Sequence, residues 1–202
     1  MDPDSVDPDS VDPVSVDVGS IVRRTVASPY SHLITRQTGR AVRLAIEGQV
    51  LDAGDRTLSL VDLSEVRVLD FSCADEVVAK LLLRSSDRAS GPDTYFVFRG
   101  IQEVHREPID AVLERQSLLA VAETEAGRFE LLGTASEEER RVWGVLEAVG
   151  RIPENEVERH LPRPPEREIL RGLVRRRVAL ELEEPREYRA LSTLIPPPAV
   201  PG

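Results

Sequence analysis

The sequence predicts an α/β chain: a small layered α/β unit, then three helices and a terminal β-hairpin. Three observations carry this expectation. Short apolar strand-like runs alternate with amphipathic helix patterns between residues 31 and 135. The composition shifts at the glutamate-rich "TASEEE". The closing stretch "VALELEEPREYRALSTL" alternates on either side of a turn. A chain of 202 residues that is 41% hydrophobic has room for one unit of about 110 residues and a smaller one.

The first twenty residues, "MDPDSVDPDSVDPVSVDVGS", hold six Asp and no base. Proline removes backbone donors and like charges oppose collapse, so residues 1–30 are expected to be a disordered acidic tail, either an interaction arm or a solubilising segment. Much of the net charge of −10 sits there. All but one of the 26 basic residues are arginine, a bias of composition rather than a nucleic-acid footprint. One cysteine, Cys73, excludes an internal disulfide framework and a multi-cysteine zinc site, and it fits a reduced compartment. The start is acidic where a signal peptide is basic, and no apolar run approaches the ~18 residues of a membrane span. The expected location is therefore cytoplasmic, with no membrane partner.

In "SHLITRQTGRAVRLAIEGQVL", Ala41, Val42, Ala45, Ile46 and Val50 recur every three or four residues, one face of a helix that "DAGD" ends. "TLSLVDL" is almost continuously apolar, as suits a central strand covered on both faces. In "FSCADEVVAKLLL", Ser72 is placed to cap a helix, and Asp75 or Glu76 in its first turn suits the helix dipole. Val77, Val78, Leu81 and Leu82 supply its buried stripe. The loop "SGPD" precedes the strand "TYFVFRG", the helix "IQEVHREPIDAVLERQ" and the strand "SLLAVAET". The turn "EAGR" then leads to "FELLG". Crossovers of this length permit parallel pairing, so residues 31–135 form the α/β unit.

Thr134 or Ser136 before the glutamate run signals a helix start, and Val142, Trp143, Leu146 and Val149 share a face until Gly150. After "IPENEVERHL", the stretch "RPPEREILRGLVRRR" opens on proline and sets Ile169, Leu170, Leu173 and Val174 at helical spacing. With the hairpin about "EEPRE", residues 136–195 read as a winged helix, and residues 196–202 as a proline-rich tail. Arg167, Arg171, Arg175, Arg176 and Arg177 lie on or just after the third helix, where a DNA reader keeps its base-contacting side chains. The unit is nevertheless near neutral, and the acidic "ELEEPRE" would be repelled by phosphates. DNA binding, protein binding or dimerisation, and a merely solvated arginine face all remain open.

The constellations of an enzyme are hard to find. His32, His105 and His160 are scattered, and none is near Cys73 in sequence. Asp75 and Glu76 are adjacent, so on an α-helix they diverge by about 100° and make a poor acid/base pair. No imidazole or ligand spacing supports a metal site from Asp70, Asp75 and Glu76, and no glycine-rich phosphate loop is present. No catalytic residue, cofactor or metal is expected. Cys73, at a helix start, is either a thiol of lowered pKa or a small packed hydrophobe.

Two stretches carry a resemblance. "VDLSEVRVLDFS" resembles the pattern of the STAS domains of anti-sigma-factor antagonists. "SCADEVVAKLL", preceded by "LITRQTGRAVRLAIE", looks like the STAS-like branch of that group. The likeness covers residues 33–133. In the antagonists, a Ser directly after an Asp at this turn is phosphorylated by a partner kinase. Here Asp70 takes the place of that Asp and Phe71 the place of the serine, so the phosphoacceptor is missing, and Ser72 one position later is a possible phosphosite. The resemblance implies a non-enzymatic signal-transduction adaptor whose STAS-like unit binds a protein, such as a histidine-kinase-like ATPase, through Asp70, Phe71, Ser72, Asp75 and Glu76. These would form an acidic surface, with the winged helix relaying the signal. The alternative is a winged-helix transcriptional regulator, the α/β unit serving dimerisation or ligand sensing and Arg167, Arg171, Arg175 and Arg176 meeting DNA.

Overall fold

The computed structural model describes residues 11–26, 32–53, 56–86 and 93–196. The chain enters as strand β1 (Asp12–Asp17) and helix α1 (Val18–Val26). This corrects the expectation of a disordered tail over residues 1–30; residues 1–10 and 27–31 lie outside the described part. The physical reason is in the sequence itself. Val14 and Val16 alternate and turn to the core, while Val18, Ile21 and Val22 repeat at helical spacing and are buried. Asp17, read only as one more like charge, accepts from the Ser20 backbone N–H at 3.0 Å and holds the first turn of α1.

A two-stranded parallel pair, β2 (His32–Leu33) with β4 (Val68–Leu69), lies beside the main sheet. Between them run α2 (Arg36–Leu51) and β3 (Arg56–Asp62). Next comes a helical rod in three parts: α3 (Phe71–Ala74), a π-helical stretch Asp75–Ala79, and α4 (Lys80–Ser86). Strand β5 (Asp93–Arg99), helix α5 (Glu103–Gln116), and strands β6 (Leu119–Glu123) and β7 (Phe129–Gly133) complete the unit. The main sheet has the order β1-β3-β5-β6-β7. Its first four strands are parallel, and β7 returns antiparallel through "EAGR", where Gly127 takes φ 67°.

Strand periodicity divides the apolar residues between two cores. On one face Val61, Phe96, Phe98, Ala120, Ala122 and Leu132 meet α1, α2, the helical rod and α5. On the other, Leu58, Leu60, Tyr95, Val97, Leu119, Val121 and Leu131 meet the C-terminal part of the chain. "TLSLVDL" is thus a central strand covered on both faces.

The C-terminal part runs through α6 (Glu137–Val149), β8 (Arg151–Pro153), a 3-10 turn, α7 (Val157–His160), α8 (Pro164–Arg175), β9 (Leu180–Glu183) and β10 (Arg186–Arg189). Ser136 and Glu139 form a reciprocal capping box that starts α6, and Gly150 at φ 82° ends it. The strands associate as β8-β10-β9; the sequence reading had no counterpart for β8. Trp143, Leu146, Leu170, Leu173 and Val174 join the core beneath the sheet, and the Trp143 indole donates to the Val178 carbonyl at 3.1 Å. This part of the chain is therefore the second layer over the sheet, sharing a core with the α/β part.

Candidate partner-binding site at the junction of β4 and α3

Leu33 and Leu69 are buried by the β2–β4 pairing, and the Asp70 backbone N–H donates to the Leu33 carbonyl at 2.9 Å. That places Asp70 at the entrance of the rod with extended backbone, φ −85° and ψ 167°. Its carboxylate accepts from the Cys73 backbone N–H at 2.8 Å, so Asp70 is the N-cap. Ser72, expected as the cap, instead donates its hydroxyl to Asp70 at 2.9 Å. Helix start was legible, but the capping residue lies two positions earlier, because β4 ends at Leu69 and leaves Asp70 as the last non-helical residue.

Cys73 is fully buried and donates to the Thr35 carbonyl at 3.0 Å. Burial first, and then the neighbouring Asp70 carboxylate, push its thiol up to about 12. Of the two readings open for this cysteine, the packed hydrophobe holds. Gly39 permits this fit: a Cβ there would stand 3.0 Å from Cys73 Cα and 3.1 Å from Glu76 Cβ.

Asp75 and Glu76 do not form an acidic surface. Both are buried, at 5% and 2% exposure. Arg36 Nη1 bridges them at 2.9 and 3.2 Å, Arg43 Nε reaches Glu76 at 3.1 Å, Lys80 bonds Glu76, and Arg115 reaches across from α5 to Asp75. The π-helical stretch, in which the Lys80 N–H reaches back to the Asp75 carbonyl, widens the turn at this pair. Burial alone would lift the Glu76 carboxyl, but hydrogen bonds from Lys80 and Arg43 hold it below the ordinary range. The side chains displayed around the acids are cations: Arg36 and Arg115 are more than half exposed.

What the junction does display is apolar. Phe71 is 52% exposed, and Ile34 and Val68, within two residues of the β2–β4 pairing, are 51% and 41% exposed. His105 sits beneath the same end of the fold, fully buried. It accepts from the Gln102 N–H on Nδ1 and meets the Val66 carbonyl through Nε2 at 2.8 Å, which fixes the neutral Nε2–H form. Among the described residues, no group of three or more His, Cys, Asp or Glu is arranged to hold a metal ion, and no helix is long and apolar enough to cross a membrane.

The α8 arginines divide. Arg167, Arg171 and Arg175 recur as a stripe at four-residue spacing, Arg171 and Arg175 exposed and Arg167 half-buried; Arg167 pairs with Glu158 at 3.1 Å and Arg175 with Glu168 at 3.0 Å, and Arg171 approaches Glu168 at 3.7 Å. Arg176 is not on that stripe. It turns into the seam, bonding Glu139 at 2.8 Å and the Ser117 carbonyl at 3.1 Å, so it is removed from the DNA-facing set. Arg177, also read on the arginine face, is buried. Its left-handed backbone, φ 60°, swings the guanidinium onto Asp93, the Ser85 carbonyl at 3.1 Å and the Tyr95 hydroxyl at 3.0 Å. No family model, curated protein or solved structure compared with this chain matches it.

The residues that sequence reasoning missed are Arg36, Arg43, Lys80 and Arg115. Arg36, Arg40 and Arg43 recur at spacings of four and three on α2 with no acid before Glu47, which marks one face of that helix as cationic. No comparable signal points to Arg177.

Proposed function

We propose that the chain is a non-enzymatic regulatory adaptor. Its α/β half is similar to STAS-like domains and docks a protein partner at the Phe71 junction. Its C-terminal half follows the helix-and-hairpin order of a winged helix and relays that state across the shared core. The observation that carries this reading is the exposed Phe71, with Ile34 and Val68 close by, at the turn where the antagonist proteins present a phosphorylated serine. A cluster of exposed apolar side chains beside a rigid capped helix start is the common form of a protein-docking surface. By the same resemblance the partner is a histidine-kinase-like ATPase acting in the cytoplasm. Ser72 supplies the switch: a phosphate there brings nearly two negative charges against Asp70 and opens the cap that seats Phe71.

The test is calorimetric titration of the full chain against the purified histidine-kinase-like ATPases of its source cell. Binding should weaken by at least tenfold for Phe71→Asp and for Ser72→Asp, with Leu51→Asp, at an exposed position at the C-terminal end of α2, unchanged. Equal affinity for all four chains would sink the reading.

A second reading, a transcriptional regulator, is favoured by the Arg167, Arg171 and Arg175 stripe. Sequence-independent DNA binding that falls steeply with salt and is lost in Arg171→Ala plus Arg175→Ala would support it.

A further inference from the structure

Between α2 and α4 lies an open cleft of about 580 Å3, lined by Arg36, Gln37, Arg40, Arg43, Glu76 and Lys80. Four cations face one carboxylate. Glu76 already accepts three hydrogen bonds, two on Oε1 from Arg36 and Lys80 and one on Oε2 from Arg43. Five hydrogen bonds to Asp75, Glu76 and Glu47 occupy fewer than a third of the N–H donors these four side chains carry. The Arg40 side chain is exposed and makes no hydrogen bond or ion pair among the described residues. The walls are the aliphatic stems of the same side chains, a low-dielectric lining that concentrates the positive field.

We infer that the occupant of this cleft is the acidic segment of the same chain, residues 1–10, held there as an autoinhibitory arm. Charge is the first argument. The segment "MDPDSVDPDS" carries Asp2, Asp4, Asp7 and Asp9 and no basic side chain. Its two Asp pairs are five residues apart in sequence, a separation that a polyproline II chain would span in about 15 Å. Arg36 and Arg40, the exposed arginines of the wall, stand about 6 Å apart along α2, and their long side chains extend that span.

Reach is the second argument. The segment joins the fold at Val11, just before β1, an edge strand that packs against α2. Ten extended residues span up to about 33 Å, more than the ~24 Å length of α2. A tether of this length gives an effective concentration in the millimolar range, which favours the arm of the same chain over one from a second copy. An anionic ligand or partner segment would reach the cleft only by displacing the arm.

Lys80 lines the cleft and is the one lysine of the sequence, so zero-length carbodiimide coupling of carboxylates to the lysine amine reads its neighbours directly. Coupling is run on the full chain, as an equal mixture of 14N- and 15N-labelled protein, and mapped by peptide mass. Two products are expected: an internal Lys80–Glu76 link, which serves as the reference, and a link from Lys80 to one of Asp2, Asp4, Asp7 or Asp9 within one isotopic species. Arg40→Glu should reduce the second at least tenfold and leave the reference unchanged, and about 0.5 M NaCl should reduce it likewise. The inference is overturned by the reference link alone, by arm links that Arg40→Glu leaves untouched, or by links only between the two isotopic species, which would place a second copy's arm there. Phe71 takes no part in this measurement, so its result is independent of the docking reading.

Discussion

At the scale of single residues, buried charge decides more than displayed charge. Arg177 is nearly inaccessible and satisfies three groups from the α/β half, besides lying 5.0 Å over the Tyr95 ring. Arg177→Met is expected to lower stability by about 2–4 kcal/mol in urea unfolding, because Tyr95 and the Ser85 carbonyl lose a charged donor while Asp93 keeps Arg56. Acid should act in two stages. His105 is buried in its neutral form and its pKa is lowered chiefly by burial, so its contribution is complete above about pH 6.5 and drains as pH falls below that value. Glu76 and Glu166 have depressed carboxyls. Burial alone would raise Glu166, but Arg163 and Arg141 hold it at about 2. Their contributions are complete above the ordinary carboxylate range near 4.3 and drain as pH falls below it, that of Glu166 toward about pH 2. Melting temperatures from pH 7.5 to 3 should show both slopes, and His105→Gln should remove the upper one. Asp75 and Glu76 were misread because an acidic pair at a helix start looks solvated in one dimension. Their counter-charges come from positions 36, 43, 80 and 115, and only the fold brings most of them near.

At the scale of elements, the entrance to the rod is set by Asp70 and by the fit of α2 against it. Asp70→Ala should cost about 1 kcal/mol through loss of the cap. Ser72→Ala should cost much less, since its hydroxyl only donates to that cap. Chemical denaturation of the two variants distinguishes the capping residue from its neighbour. Gly39→Ala raises intrinsic helix propensity by about 1 kcal/mol, yet it should still destabilise, because the new methyl meets Cys73 backbone and Glu76 Cβ that cannot both retreat. Most elements were legible: the α2 stripe, the central strands, the Ser136 cap and the hairpin all follow from periodicity and turn residues. β1 and α1 were not, because six aspartates and several prolines overshadowed Val14, Val16, Val18, Ile21 and Val22. β1 has no apolar run of its own to announce it, and it exists through its parallel register with β3.

At the scale of the whole molecule, the continuous apolar character of β3 already implied that both sheet faces are covered, but nothing in the sequence showed that the C-terminal half is the second cover. Removing residues 136–202 would expose Leu58, Leu60, Tyr95, Val97, Leu119, Val121 and Leu131. At about 1.5–3 kcal/mol for each large side chain, the loss is on the order of 10 kcal/mol, comparable to the stability of an ordinary domain. The truncated chain is expected to aggregate or remain unfolded by circular dichroism, and the full chain to melt in one transition by calorimetry; two separated transitions would contradict a shared core. Arg177 grips the Ser85 carbonyl on one side of residues 87–92 and Asp93 on the other. A backbone cut between those two anchors would therefore leave both new ends fastened to a third point, which makes this the natural place to divide the protein into two fragments that reassemble without a covalent link.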